Sequence, residues 1–195
     1  MTTNSLVSHL PAETDVTATR FRGAMRLLAG GVSVVTVGRD LQISGMTVTS
    51  VTSLSAEPPT LLVCVNRLAS SWPLFQNYRA FAINILHAEQ QDLADRFAGR
   101  HGVSGAARFE GIDWSTLVTG IPVLTDCLAA IDCRIEEVIE RHSHAIVIGR
   151  VAAVRSAGRN AALAYWQGEY VALDHDDDAV RLAEVSLPTG NSRSA

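Results

Sequence analysis

Between residues 14 and 29 the apolar side chains Val16, Phe21, Met25, Leu28 and Ala29 recur at spacings of three and four. That period puts them on one face of a helix. Thr14 or Asp15 stands at the cap position, and Gly30 with Gly31 ends the run. From Val32 the period falls to two. Residues 32–37 read as a strand, 38–40 as a turn, and 41–53 as a second strand or a pair of strands. After Pro58 and Pro59, residues 60–65 are apolar almost throughout, the pattern of a strand buried on both sides. Residues 70–77, with a Ser cap and Pro73 in the first turn, are predicted to form a short helix. Residues 80–86 make a further strand, and 89–98 return to the helical period before stopping at Gly99.

A loop rich in Gly and Ala over 99–111 leads to two long alternating runs, 127–139 and 144–154, joined by the charged corner Glu140, Arg141, His142 and Ser143. Residues 161–165 are expected to make a helical turn and 170–173 a last short strand. About seven strands with three helices, and no regular alternation between them, imply an antiparallel barrel in place of a doubly wound sheet.

Composition narrows this picture. A chain of 195 residues holds one sizeable core. Polar, aperiodic ends mark 1–13 as a tail and 176–195 as a C-terminal extension around one domain at 14–175. Hydrophobic residues make up 47% but aromatic ones only 6%, so small and β-branched side chains dominate and favour strands. A net charge of −4 gives no pull toward a nucleic acid or an anionic membrane, and neither partner is expected. No apolar stretch reaches membrane-spanning length and no leader pattern opens the chain, so a cytoplasmic location is expected. Cys64, Cys127 and Cys133 lack CxxC spacing and read as buried core thiols.

The densest chemical signal lies at 44–55, where eight of twelve positions are Ser, Thr or Gly. Hydroxyl and backbone N–H groups together bind a phosphate and the polar edge of a planar heterocycle. An edge strand with a polar face would account for the same composition. A second anion-binding candidate is Asn66 with Arg67, Ser70 and Ser71, where a strand end meets a helix start; Ser70 as a plain helix cap is the simpler reading. Neither a dinucleotide fingerprint nor a phosphate-binding P-loop occurs, and no nucleophile elbow points to hydrolysis. His142 and His144, two apart, would share one side of a strand, yet no third metal ligand accompanies them, and no metal is expected. The acidic run 174–178 reads as a solvated loop, since no EF-hand spacing surrounds it.

Taken together and in order, several strings resemble the short-chain flavin reductases with an FMN-binding split barrel. They are Gly31-Val32-Ser33-Val34-Val35-Thr36, Ser44-Gly45-Met46-Thr47-Val48-Thr49-Ser50, Ser53-Leu54-Ser55-Ala56-Glu57-Pro58-Pro59, Gly120-Ile121-Pro122-Val123-Leu124 and His144-Ala145-Ile146-Val147-Ile148-Gly149-Arg150-Val151. This resemblance, over about 20–173, implies a Greek-key split barrel forming a homodimer, and an NAD(P)H-dependent reductase of FMN or FAD using NADH or NADPH. It places Thr47, Val48, Thr49, Ser50, Val51, Ser53 and Leu54 against the flavin ring and ribityl chain, and Asn66, Ser70 and Ser71 near the phosphate. It places Phe97 and Arg100 over the rest of the flavin. His144, the one residue assigned a catalytic part, would face the nicotinamide together with Tyr165, Trp166, Gly168 and Tyr170. Members often carry Gly-Asp before the matched histidine, where this chain has His142 and Ser143. The implied partner is a flavin-dependent monooxygenase or another electron acceptor. A corrinoid or ferric acceptor is the alternative within redox chemistry; a flavin- or heme-binding module without turnover and a purely structural domain are the alternatives outside it.

Overall fold

The computed structural model describes residues 16–158 and 161–174. The tail 1–13, the caps Thr14 and Asp15, the acidic run beyond Asp174 and the extension 176–195 lie outside the described residues.

The chain begins with α1 (Ala18–Met25), capped by the Thr17 hydroxyl, which accepts from Arg20 N at 3.3 Å. It continues through β1 (Gly30–Gly31), β2 (Ser33–Arg39), β3 (Gln42–Val48), β4 (Thr52–Ala56), β5 (Pro59–Asn66), α2 (Trp72–Tyr78), β6 (Ala80–Ile85) and α3 (Gln91–Phe97). A 3-10 turn (Gly105–Phe109), β7 (Trp114–Thr116) and β8 (Pro122–Leu124) follow. The chain then enters the long hairpin β9 (Ala129–Arg141) and β10 (His144–Ser156), and ends in β11 (Ala162–Trp166) and β12 (Glu169–Leu173).

Seven strands form one antiparallel sheet in the order β3-β2-β6-β9-β10-β5-β4. Its outer strands, β3 and β4, are joined by Thr49, Ser50 and Val51 alone. Four Cα steps from Val48 to Thr52 reach at most about 14 Å. Six strand spacings in a flat sheet would separate those edges by about 29 Å. The sheet therefore curls until its edges come side by side, yet β3 and β4 share no ladder. The result is a split barrel, mainly β, in agreement with the fold expected from the sequence.

Alternation along the strands divides the core. Val35, Val37, Phe81, Ile83, Cys133, Ile135, Val63, Val65 and Val147 fill the barrel, plugged by Trp72 and Phe75 of α2. Val32, Val34, Ala82, Phe97, Phe109, Ile121, Val123 and Leu163 pack on the outer face. This outer layer also contains buried polar anchors. The Asn84 amide donates to Val34 O at 3.0 Å and to Thr36 Oγ at 3.3 Å, and its oxygen accepts from Leu124 N at 2.8 Å. The Asp132 carboxylate, fully buried, accepts from Thr119 N at 2.7 Å and from the Thr119 hydroxyl. Gly149 leaves space for Phe81: a Cβ there would sit 2.5 Å from the ring.

Several sequence expectations need correction. Residues 161–165 do not form a helical turn; 162–166 are strand β11, paired with both β1 and β12. Alanine and leucine favour helix locally, but two strand partners decide the outcome. The first helix ends at Met25, short of Ala29, and buries none of its residues. The cap of α2 is Ser71, not Ser70, and its side chain makes no capping bond. Cys127 and Cys133 are buried, and burial pushes their thiols up to about 11 and about 12. Cys64 is only half-buried, because the outer face of β5 is incompletely covered. His142 sits in the hairpin turn at φ 51°, so it shares no strand face with His144.

Asn84→Leu leaves Leu124 N, Val34 O and the Thr36 hydroxyl with a lost partner inside the outer core. The expected cost is about 1–3 kcal/mol, read from the midpoint of urea denaturation.

Candidate functional site

The seam between β3 and β4 leaves the peptide groups of Thr49, Ser50 and Val51 outside both ladders. Nearby carbonyls and amides are meanwhile satisfied by side chains. The Ser50 hydroxyl donates to Cys64 O and accepts from Cys64 N, both at 3.2 Å. Ser50 thereby takes the ladder position that would follow the Thr52 and Leu62 pair. The Thr47 hydroxyl donates to Ala94 O at 2.6 Å, binding the last turn of α3 to the seam.

Two connected hollows open here. The smaller, of about 190 Å³, is lined by Val32, Thr47, Val48, Thr49, Ala98, Arg100, Tyr165 and Tyr170. The larger, of about 630 Å³, lies between α1 and the β11–β12 turn, and shares Thr49 and Tyr165 with the first. The turn residues Gln167 and Gly168 have φ of 52° and 94°, a type I′ geometry that keeps the hairpin tight. The Trp166 indole N–H donates to Leu27 O at 3.1 Å, and Gln167 N donates to Arg26 O at 2.9 Å, which fixes α1 to the turn.

Tyr170 donates to Asp95 Oδ1 at 2.9 Å, and the same oxygen accepts from Arg100 Nη1 at 2.6 Å. The Arg100 guanidinium lies 5.7 Å from the Tyr170 ring centre, and Tyr165 meets that ring edge-on at 5.3 Å. Burial first, then the Asp95 hydrogen bond and charge, push the Tyr170 hydroxyl up to about 12. Asp95, with Tyr170, also holds the exposed Arg100 above its ordinary value.

The structure thus brings Thr47, Val48, Thr49, Arg100, Tyr165 and Tyr170 to one cleft, with Gly168 on its larger side. Trp166, exposed, serves as an anchor for α1. At the other end of the seam His144 is paired with Asn66 across the β5–β10 ladder, two residues beyond Cys64. His144 is exposed, and its Nδ1 lies 2.9 Å from Ser143 Oγ. The Asn66 side-chain oxygen accepts from Leu68 N at 3.0 Å and shapes the loop to Ser70, which is exposed. Val51 is half-buried, and Ser53 and Leu54 are exposed on β4.

Three expected contributors are placed elsewhere. Phe97 is 1% exposed and packs edge-on to Phe109 at 5.1 Å, because the period of α3 turns Ala94 and Phe97 inward together. Ala98 and Arg100 line the cleft in its stead. Ser71 is buried. Arg67, a candidate anion ligand, is paired with Glu140 at 2.7 Å and donates to His142 O at 3.2 Å. The sequence did not single out Asp95, which holds Tyr170 and Arg100 at the cleft, nor Arg22 and Arg26, which line the larger hollow. An arginine pair four apart on α1 was the available sign for the last two.

The Thr49 peptide in a cleft with two tyrosine rings, continued by the peptides of Ser50 and Val51 along the seam, suits a planar heterocycle with a polar edge, so the residues present fit a flavin. Among the described residues no three of His, Cys, Asp or Glu converge as metal ligands, and no helix is long and apolar enough to cross a membrane.

Comparison with known proteins decides the family. Residues 25–174 match the model of the flavin reductase like domain. The chain belongs to the flavin reductase family. It is 42% identical over 162 residues to the FMN reductase (NADH) RutF 2 of Methylorubrum extorquens, covering 83% of this chain and 93% of that one. Among solved structures it resembles BorF, the flavin reductase component of a bacterial two-component tryptophan halogenase. There the TM-score is 0.75 at 31% identity, covering 81% of this chain and 99% of the other. It also resembles the NADH:FAD oxidoreductase SgcE6 of Streptomyces globisporus C-1027, with a TM-score of 0.73 at 29% identity over 83% and 98% of the two chains. Membership of this family makes the protein an oxidoreductase.

Asp95→Asn removes both the charge and the charge-assisted bond that hold the Tyr170 proton. The phenol is expected to titrate closer to the ordinary value of about 10, read from the phenolate absorbance against Tyr170→Phe. A tyrosine pKa raised by folding contributes stability that is lost as pH climbs from about 10 to about 12. That alkaline loss is expected to shrink in the variant.

Proposed function

We propose that this flavin reductase oxidises NADH and reduces FMN, as the names of its curated relatives state for them, and supplies the reduced flavin to a partner monooxygenase. The observation that carries the reading is the seam: three consecutive peptide groups free of both ladders, the first of them, Thr49, in one cleft with the Tyr165 and Tyr170 rings.

A bound flavin would supply the redox chemistry, as the acceptor of hydride from the reduced nicotinamide. The chain supplies the environment. The peptide N–H groups of Thr49, Ser50 and Val51, outside both ladders, are the donors that would hold the polar edge of the ring and stabilise negative charge on it. Val48, Tyr165 and Tyr170 exclude water and fix the plane of the ring. Asn66 and Ser70 take the flavin phosphate through the loop that the Asn66 side chain shapes. His144, exposed at the end of the seam with Ser143 beside its ring, orients the nicotinamide. No protein nucleophile takes part.

The partner reading draws support from BorF, whose name places it in a two-component system. A homodimer completes the proposal. Exposed apolar side chains flank the seam, Leu27 and Leu28 at one side and Leu54 at the other, and a second copy seated there would cover them.

The test is an absorbance spectrum of the protein with FMN, then NADH titration under steady-state conditions. Flavin binding with NADH oxidation supports the reading; a protein that takes up no flavin overturns it. His144→Ala is expected to raise KM for NADH about ten-fold, equal to roughly 1.4 kcal/mol, with little change in flavin affinity. Lost flavin affinity with an untouched KM would remove His144 from the nicotinamide side.

A further inference from the structure

The end of α3 gives the smaller hollow a built-in pair of charges. Gly99, at φ 84°, turns the chain back on the helix: its N–H donates to Arg96 O at 3.1 Å, and Arg100 N donates to Asp95 O at 3.0 Å. Two such bonds close a helix through a left-handed glycine and bring the residue after that glycine beside the one five positions before it. Arg100 and Asp95 are therefore neighbours by backbone geometry, and their side chains meet at 2.6 Å. The same carboxylate oxygen accepts from the Tyr170 hydroxyl at 2.9 Å, although Tyr170 lies 75 residues further along the chain.

Arg100 is the one charged side chain among the described residues that line this hollow; Asp95 stands behind it, off the wall. The carboxylate thus has two effects. It fixes where the guanidinium and the Tyr170 ring lie, 5.7 Å apart, and it offsets the positive charge that faces the cleft. The Arg100 side chain is 52% exposed and that of Asp95 31%, so solvent screens both, and they act on the cleft with comparable strength and opposite sign. Hydride carries two electrons and one proton. A ring that accepts it gains one negative charge, and the nicotinamide that gives it up gains one positive charge. The net charge at the cleft therefore distinguishes the reduced ring from the oxidised one.

We infer that Asp95 is a positioning residue for this reaction: held against Arg100 by the end of α3, it sets the charge the cleft presents to the ring, and so how much more tightly the reduced ring is held than the oxidised one. The inference rests on the flavin reductase reading and deepens it. An Arg100 without its carboxylate would retain the reduced product. The paired charges keep the cleft near neutral, and the reduced flavin is released to its acceptor.

The test measures binding, not turnover. Kd is determined by fluorescence for oxidised FMN and, without oxygen at mildly alkaline pH, for FMN reduced by dithionite, which supplies two electrons while solvent supplies the proton. The proteins are wild type, Asp95→Asn, Arg100→Gln and Asp92→Asn. Asp92, on the same helix, pairs with Arg96 and His101 away from the cleft and controls for the loss of any one carboxylate. Relative to wild type, the preference for the reduced form is expected to rise about five-fold in Asp95→Asn and to fall about five-fold in Arg100→Gln, with Asp92→Asn unchanged. Both shifts are expected to shrink as salt is raised. A carboxylate that only braces the fold would loosen Tyr170 and Arg100 and weaken both forms alike. Any pattern other than opposite shifts in Asp95→Asn and Arg100→Gln, or a shift in Asp92→Asn equal to that in Asp95→Asn, overturns the inference. A wild-type protein that binds FMN in neither form overturns the reading beneath it, and that result is visible before any variant is made.

Discussion

Three residues, Thr49, Ser50 and Val51, connect the two outermost strands of a seven-stranded sheet. No flat or gently twisted sheet tolerates so short a tether, so barrel closure is imposed by chain length before any packing is considered. Closure without pairing then leaves two strand edges facing one another inside the molecule. Open edges are usually a hazard, since their unpaired peptide groups recruit other strands. Here the same groups become the donors of the candidate site, with α3 and the β11–β12 hairpin standing over them.

The walls of the cleft differ in how firmly they are held. The barrel side rests on buried contacts, with Asn84 and Asp132 linking β2, β6, β9 and the 119–124 segment where water does not reach. Breaking such bonds leaves buried groups unsatisfied. The α1 side rests on exposed bonds, Trp166 to Leu27 O and Arg26 to Gln167 O, and α1 buries none of its own residues. Exposed bonds of this kind open at low cost. The candidate cleft thus lies between a firmly held barrel face and a lightly held opposite wall.

Much of the barrel was legible because its strands alternate: 32–37, 80–86 and the two long runs near the C-terminus announce themselves by period and by β-branched content. Residues 161–165 did not, since a short run of Ala and Leu carries a helical preference that only the flanking Gly30, Gly31 and β12 overrule. The Ser/Thr-rich stretch 44–55 could be singled out from composition, and Tyr165, Tyr170 and Arg100 through family resemblance. Asp95 could not, because one acidic residue on a helix has no local mark; its partners Arg100 and Tyr170 lie 5 and 75 residues away. Phe97 was misjudged for the opposite reason, its core position being written in the spacing of Ala94 and Phe97.

The hydroxyls of the seam divide their work in a way that composition alone conceals. A segment rich in Ser and Thr suggests side chains aimed at a ligand, yet the hydroxyls of Thr47 and Ser50 are engaged by Ala94 and Cys64 of the protein itself. Each satisfies a backbone group of a neighbouring element that would otherwise compete for the seam. The peptide donors of 49–51 are thereby kept unpaired and in place, at fixed spacing, without the rotamer freedom a side-chain donor would have to lose on binding. The hydroxyl-rich strand is best understood as a scaffold that leaves its own backbone outside the ladders, which is why so short a connection carries both the fold and the candidate site.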